Sequence, residues 1–235
     1  MSTLSKRPFP LLQPVSIFDA ARIRDNDWMA FSHLSTVNDH WSLKAWAPGQ
    51  TGYYWYLTFD DPALTELVAR CQQRLADECL DMVPLTGLHL TMLGIGKTSD
   101  VSVDDMSEIA EAARMRLRGF APFDVTVGPL SGSRSAVRFS VTPWDRLLDL
   151  HRELRQATSG RRPGVRLVAT HEFRPHIGIG YINQNRSADS LVSSVAALRT
   201  LPAVKVRVDR VDLVELRREE RQYRWRDCAV IKLGA

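Results

Sequence analysis

An α+β fold with largely antiparallel sheets is what this sequence predicts, on three observations. Segments of strand and helix character run in the order strand, helix, strand, helix, strand, strand, and then helix, strand, helix, strand, strand, so the second half roughly echoes the first. Two pairs of adjacent strands are joined by short turn-like stretches, SGSRS and RREERQ, which mark hairpins; a doubly wound parallel sheet fits this order less well. The chain has 235 residues, 44% apolar and 25% charged, which is ordinary globular usage and enough length to bury a core.

Residues 1–50 read as an N-terminal arm. They carry Pro8, Pro10, Pro14 and Pro48, have helical potential between about Asp19 and His40, and end in a turn-rich stretch. Residues 51–235 read as one domain. Within it, YYWYLTF is aromatic enough for a strand. Asp61 and Pro62 then set an N-cap and a first-turn proline for a helix with Leu64, Leu67, Val68, Cys71, Leu75 and Cys79 on one face. LTGLHLTMLGIG is a strand ending in glycines. Ser102 opens a helix with Met106, Ile109, Ala113 and Leu117 at core spacing. FDVTVGPL and AVRFSV form a hairpin, and Trp144, Leu147, Leu148 and Leu154 mark a third helix. The basic loop SGRRPGVR precedes the strand FRPHIGIGYI, and Ser187 opens a fourth helix. VKVRV, RVDLVEL and YRWRDCAVIKL close the chain as strands. Apolar parity changes near Asp209, where a break or bulge is expected.

Several classes are excluded. No apolar run approaches the ~20 residues of a membrane span, and the first 25 residues make a poor secretory signal. Three cysteines without a CxxC pair argue against a disulfide framework or zinc ribbon and for a reducing cytoplasm. The net charge of +4 is a modest invitation to an anionic partner. The GIG steps lack the spacing of a dinucleotide fingerprint.

The chemistry sits on two short strands 87 residues apart, one in each half. In Leu88-His89-Leu90-Thr91-Met92, alternation puts His89 and Thr91 on one face. In Phe173-Arg174-Pro175-His176-Ile177-Gly178-Ile179-Gly180-Tyr181, Arg174, His176, Gly178 and Gly180 share a face, and Phe173, Pro175, Ile177, Ile179 and Tyr181 the other. One such histidine is most simply a hydrogen-bonded surface group. Two, facing across a cleft, can divide acid and base roles at one phosphorus. A hydroxyl two residues on would hold a phosphoryl oxygen, and arginine or backbone N–H groups would stabilise the added charge. No metal or other cofactor is needed.

His89-Leu90-Thr91 and His176-Ile177-Gly178 resemble the paired H-x-S/T motifs of the 2H phosphoesterases, in particular the 2′-5′ RNA ligase-like or RNA cyclic phosphodiesterase-like group. DHW, APGQTGYYWYLTF, MVPLTGLHLTMLGIG, FRPHIGIGYIN and LVELRREERQYRW are similar to landmarks of a bacterial subgroup, in order over about residues 39–235. The resemblance implies a bilobal fold, two pseudo-symmetric lobes around a cleft that holds His89 and His176. It implies cofactor-free action on a 2′,3′-cyclic phosphate or 2′-5′ phosphodiester of RNA or a nucleotide. Gly178 departs from the pattern, which has Thr or Ser there. A glycine offers its N–H to phosphate or widens the pocket, and it equally fits a lobe that has left catalysis. The rival readings are therefore a non-catalytic RNA- or nucleotide-binding protein and a cleft repurposed for a non-nucleotide metabolite.

Arg174 is a candidate phosphate ligand, with a surface ion pair as the alternative. Tyr56, sharing a face with Tyr54 and Thr58, is a candidate to stack on a base, with packing as the alternative. Arg161, Arg162 and Arg166 read as a solvated loop. Arg217, Arg218, Arg221, Arg224 and Arg226, interleaved with acids, read as a salt-bridged hairpin. His33, His40, His151 and His171 are given no role. The expected partner is a nucleotide or RNA end carrying a cyclic phosphate, with no membrane, and a monomer is favoured.

Overall fold

The computed structural model describes residues 7–76, 78–162 and 165–234. Asp19 caps α1 (Ala20–Ser32), its carboxylate accepting from the Ala21 and Arg22 amides. A two-residue strand β1 (Thr36–Val37) and a single-turn helix α2 (His40–Leu43) follow, so the expected helical stretch is two helices with a strand between them. Next come β2 (Thr51–Thr58) and α3 (Pro62–Arg74), the latter capped by Asp61 and opened by Pro62 as expected. A three-residue strand β3 (Leu80–Met82) and a 3₁₀ turn at Leu85–Gly87 lead into β4 (His89–Lys97). Ser102 and Asp105 form a reciprocal capping box on α4 (Val103–Leu117). The hairpin β5 (Phe123–Gly132) and β6 (Ala136–Thr142), then α5 (Asp145–Arg161), complete the first pass. A second 3₁₀ turn, Thr170–Glu172, precedes β7 (His176–Ile182). The chain closes through β8 (Arg186–Ser187), α6 (Asp189–Leu198), β9 (Val204–Val208), β10 (Arg210–Glu219) and β11 (Gln222–Lys232).

Two antiparallel sheets define two lobes. One has the order β11-β10-β2-β4 and the other β3-β7-β6-β5-β9, with β1 and β8 as a separate pair. Helices α4 and α5 pack together and cover the first sheet, while α3 and α6 lie on the second. The parity change at Asp209 is where the chain leaves β9 in one sheet and enters β10 in the other. Each histidine strand thus belongs to a different lobe. β4 is an edge strand, and β3 pairs only with Gly180–Ile182, leaving the His176 end of β7 open on that side. β4 comes up against β7 there, across the junction of the lobes.

The N-terminal segment is built into this body. Asp27 on α1 is buried, accepts from Ser140 Oγ at 2.6 Å and pairs with Arg138 at 3.4 Å. Fully buried Phe31 lies against Gly132, where a side chain would collide with its ring.

Three local expectations fail. α3 ends at Arg74, so Cys79 lies beyond the helix, half-buried, and receives a hydrogen bond from Gln184 Nε2; only Cys71 is a buried helical thiol. The basic loop begins later than expected because α5 runs through Ser159 and Gly160 to Arg161. Arg161 pairs with Glu108 and Arg162 donates to the Asp100 carbonyl, while Pro163 and Gly164 lie outside the described residues. Ser187 ends β8, its hydroxyl accepting from the Asp189 amide at the start of α6. Among the described residues no helix is long and apolar enough to cross a membrane.

The seat of α1 can be tested by overpacking. A Cβ at Gly132 would sit 2.3 Å from the Phe31 ring, whereas one at Gly178 meets nothing within 4 Å. Gly132→Ala is expected to lower stability in urea by about 1–3 kcal/mol, and Gly178→Ala to stay within about 0.5 kcal/mol of the parent. Equal effects would contradict this packing.

Candidate active site

Each histidine is fixed by the same local device. His89 Nδ1 lies 2.8 Å from the Gly87 carbonyl oxygen and His176 Nδ1 lies 2.7 Å from that of Arg174, in both cases two residues back. A carbonyl only accepts, so each Nδ1 carries the proton and each neutral ring leaves its Nε2 lone pair unclaimed by that bond. A 3₁₀ turn precedes each strand and delivers the chain to this geometry. Both rings are half-buried.

The environments then diverge. The His89 ring stacks on Tyr56, with centroids 4.3 Å apart and planes 13° apart, and Trp225 meets it edge-on at 5.2 Å. Trp225 is on β11, three strands from β4. A flat sheet would set those strands about 14 Å apart, so this sheet curls on itself and fills its hollow with aromatic rings. Burial holds His89 down to about 4, with the Gly87 hydrogen bond opposing. His176 is pushed to about 3, first by burial and then by the Arg138 guanidinium; its Arg174 carbonyl bond opposes, and His89 and Lys44 add smaller repulsions. His176 thus lies within electrostatic reach of His89. Arg138 and Ser140 are the register partners of Gly178 and His176 on β6, and Asp27 binds both.

Thr91 lies half-buried on the His89 face, opposite Tyr56, and is a hydrogen-bonding neighbour of the Tyr56 phenol. Gly178 is half-buried beside His176, with open space where a side chain would go. Two candidates are taken up by the fold itself, Tyr56 in the packing role given as its alternative. Tyr56 is 2% exposed and one face carries His89, so it supports the histidine and offers no platform for a base. Arg174 is buried and, among the described residues, makes no ion pair. Its guanidinium donates to the carbonyls of Pro10 at 3.1 Å, Leu11 at 3.3 Å and His171 at 2.7 Å.

Tyr181 also corrects the expected face. Gly178 pairs with Arg138 and Gly180 with Val137, so Ile179 is an extra residue in β7. This bulge flips the parity and brings Tyr181 out of the core, into a narrow pocket shared with His89, Gln222 and Tyr223. His40, given no role above, stacks on Tyr181 at 4.3 Å and reaches Ser135 in one lobe and Tyr223 in the other. The arginine hairpin is ion-paired at Arg217, Arg221, Arg224 and Arg226. Arg218 differs: it lies over Trp41, Trp46 and Tyr223 at 5.2, 5.0 and 5.2 Å and donates to the Tyr223 hydroxyl.

Two lobes whose histidine strands meet at their junction define a 2H phosphoesterase-like protein. The chain belongs to the 2′-5′ RNA ligase superfamily, whose model matches residues 59–220. It is 27% identical over 162 residues to an RNA 2′,3′-cyclic phosphodiesterase of Methanothermobacter thermautotrophicus, covering 65% of this chain and 83% of that one. Its fold resembles that of E. coli LigT in apo form, with a TM-score of 0.59 at 17% identity over 79% of this chain and 99% of LigT. It also resembles TT0787 of Thermus thermophilus, with a TM-score of 0.59 at 16% identity over 79% of this chain and 98% of that one. LigT has also been solved with 3′-AMP.

The buried histidines set a pH dependence of stability. In the unfolded chain histidine binds a proton below about pH 6.5. Burial delays this to about 3 for His40 and about 4 for His151, which are 7% and 0% exposed. The unfolded state therefore holds more protons between about pH 6.5 and 4, and stability falls as pH falls through that window. Each of these two rings contributes up to about 1.4 kcal/mol per pH unit. Urea midpoints should drop measurably from pH 7 to pH 5, and a flat profile would count against neutral buried rings.

Proposed function

We propose that this chain is a cytoplasmic phosphoesterase that opens a 2′,3′-cyclic phosphate of a nucleotide or RNA end, with 2′-5′ phosphodiesters as the related alternative, by two-histidine acid–base catalysis. The observation that carries this reading is the matched pair of Nδ1-to-carbonyl bonds on two strands that meet between the lobes. It leaves two Nε2 atoms available for proton transfer. The family assignment and the names of the relatives support the reaction class. Three unpaired cysteines, one of them a buried thiol, agree with a reducing compartment.

The asymmetry of the rings supports an assignment that the sequence leaves open. Arg138 beside His176 disfavours a charged ring there, which supports His176 as the base that takes a proton from water at Nε2. His89 is held down by burial, with no cation acting on it. A bound phosphate anion raises its pKa and lets it carry the proton for the departing ribose oxygen. Water oxygen bonds to phosphorus as the P–O bond to that ribose oxygen breaks. Thr91 holds a non-bridging oxygen, and the Gly178 side supplies space without a hydroxyl.

Hydrolysis of 2′,3′-cyclic nucleotides should persist in chelator with a bell-shaped pH profile, and Ala at either histidine should reduce kcat by ~10²-fold or more. Wild-type rates in a His89→Ala, His176→Ala double variant would rule the assignment out. Gly178→Thr adds a hydroxyl in open space. A hydrogen bond to a charged phosphate nets about 1.5–3 kcal/mol, so kcat/KM should rise by roughly tenfold or more. A loss at unchanged melting temperature would point to a ligand that uses the glycine's space.

A further inference from the structure

The N-terminal segment reaches both ends of the strand that carries His176. At the near end, the Pro10 and Leu11 carbonyls cap Arg174, two residues before His176, and Gln13 donates to the His171 carbonyl. At the far end, α2 lies across the junction of the lobes. His40 joins Ser135 to Tyr223, and Trp41 donates to Asp81 on β3 at 2.7 Å. Trp41 also packs on Tyr181 and Tyr223 at 5.4 Å each. Asp39 pairs with Arg221 at the tip of the β10–β11 hairpin, and Arg218 donates to the Lys44 carbonyl. These bonds tie both lobes to one wall.

The clear run between the two barriers is short. From His176 to Tyr181 is five residues of extended chain, about 16 Å. The family model begins at residue 59, and LigT is matched over 99% of its length by 79% of this chain. About a fifth of this chain thus lies outside the match to LigT, and the family model begins after the N-terminal segment and β2. Resting on the phosphoesterase reading above, we infer that the cleft takes a single cyclic phosphate of mononucleotide size, and not the end of an RNA chain, because the N-terminal segment walls it at both ends of β7. A polymer laid along β7 meets Pro10 and Arg174 in one direction and Tyr181, His40 and Trp41 in the other. Beside His89, Gln222, Tyr181 and Tyr223 line a narrow pocket, the two tyrosine rings packed against Trp41 and each other.

The test is a fluorescence titration of the full wild-type chain with adenosine 2′-monophosphate and with a short oligoribonucleotide carrying the same 2′-phosphate on its 3′ end. The mononucleotide should bind at least tenfold more tightly. An oligonucleotide that binds as tightly, or no binding of either, overturns the inference. Trp41→Ala, with its fold checked by thermal melts, should narrow the ratio at least threefold; an unchanged ratio in a folded variant also overturns it. Turnover is a separate readout. Selective binding without hydrolysis of the cyclic forms overturns the catalytic reading and upholds this one. Hydrolysis of cyclic nucleotide and cyclic-phosphate oligonucleotide at equal kcat/KM does the reverse.

Discussion

Two hydrogen bonds, each from a histidine Nδ1 to the carbonyl two residues back, fix the pair of imidazoles on which the proposed chemistry rests. They convert a feature of strand entry into a chemical state. A ring held this way has one tautomer and one orientation, so its other nitrogen is presented as a base or, once protonated, as an acid. The fold needs only to bring two such entries together. It does so by giving each to a different sheet and letting edge strand β4 meet the open end of β7.

The lobes are related but unequal. In the His89 lobe the sheet curls around Tyr56 and Trp225, whose rings hold the imidazole in an apolar setting. In the His176 lobe the neighbouring strand presents Arg138 and Ser140, and Asp27 from α1 binds both. Burying Arg138 without a partner would cost several kcal/mol. The Asp27 carboxylate offsets that cost, with burial raising its own pKa and Arg138 lowering it. Thus α1 helps to keep a cation beside one histidine and not the other. The same inequality appears at the motif hydroxyls, where one lobe has Thr91 and the other a glycine with open space beside it.

Much of this was legible in the residues. Helix starts at Asp61 and Ser102 followed from side chains that cap amides, and the parity change at Asp209 marked the step between sheets. The two histidine strands announced themselves by alternation. What stayed hidden depended on contacts far apart in sequence. Tyr181 was placed in the core because strict alternation cannot see a bulge, which appears only when Ile179 goes unpaired against β6. The partners of His40, Ser135 and Tyr223, are 95 and 183 residues away. Arg174 looked like a phosphate ligand until carbonyls from residues 10 and 11 folded back onto it. Tyr56 could be read as packing or as a stacking platform, and its burial, which settles it as packing, comes from the curl of a sheet. The DHW run of the N-terminal segment was the available clue to His40 and Trp41.

The tautomeric state of the two rings is the most direct test of this account. Nitrogen-15 NMR of the full chain at pH 7, with His89→Gln and His176→Gln variants for assignment, distinguishes a protonated Nδ1 from a protonated Nε2. Both rings should be neutral with the proton on Nδ1, and adding adenosine 2′-monophosphate should shift the His89 ring toward the doubly protonated form. If either ring carries its proton on Nε2, or if the nucleotide moves neither, the paired-histidine site is contradicted.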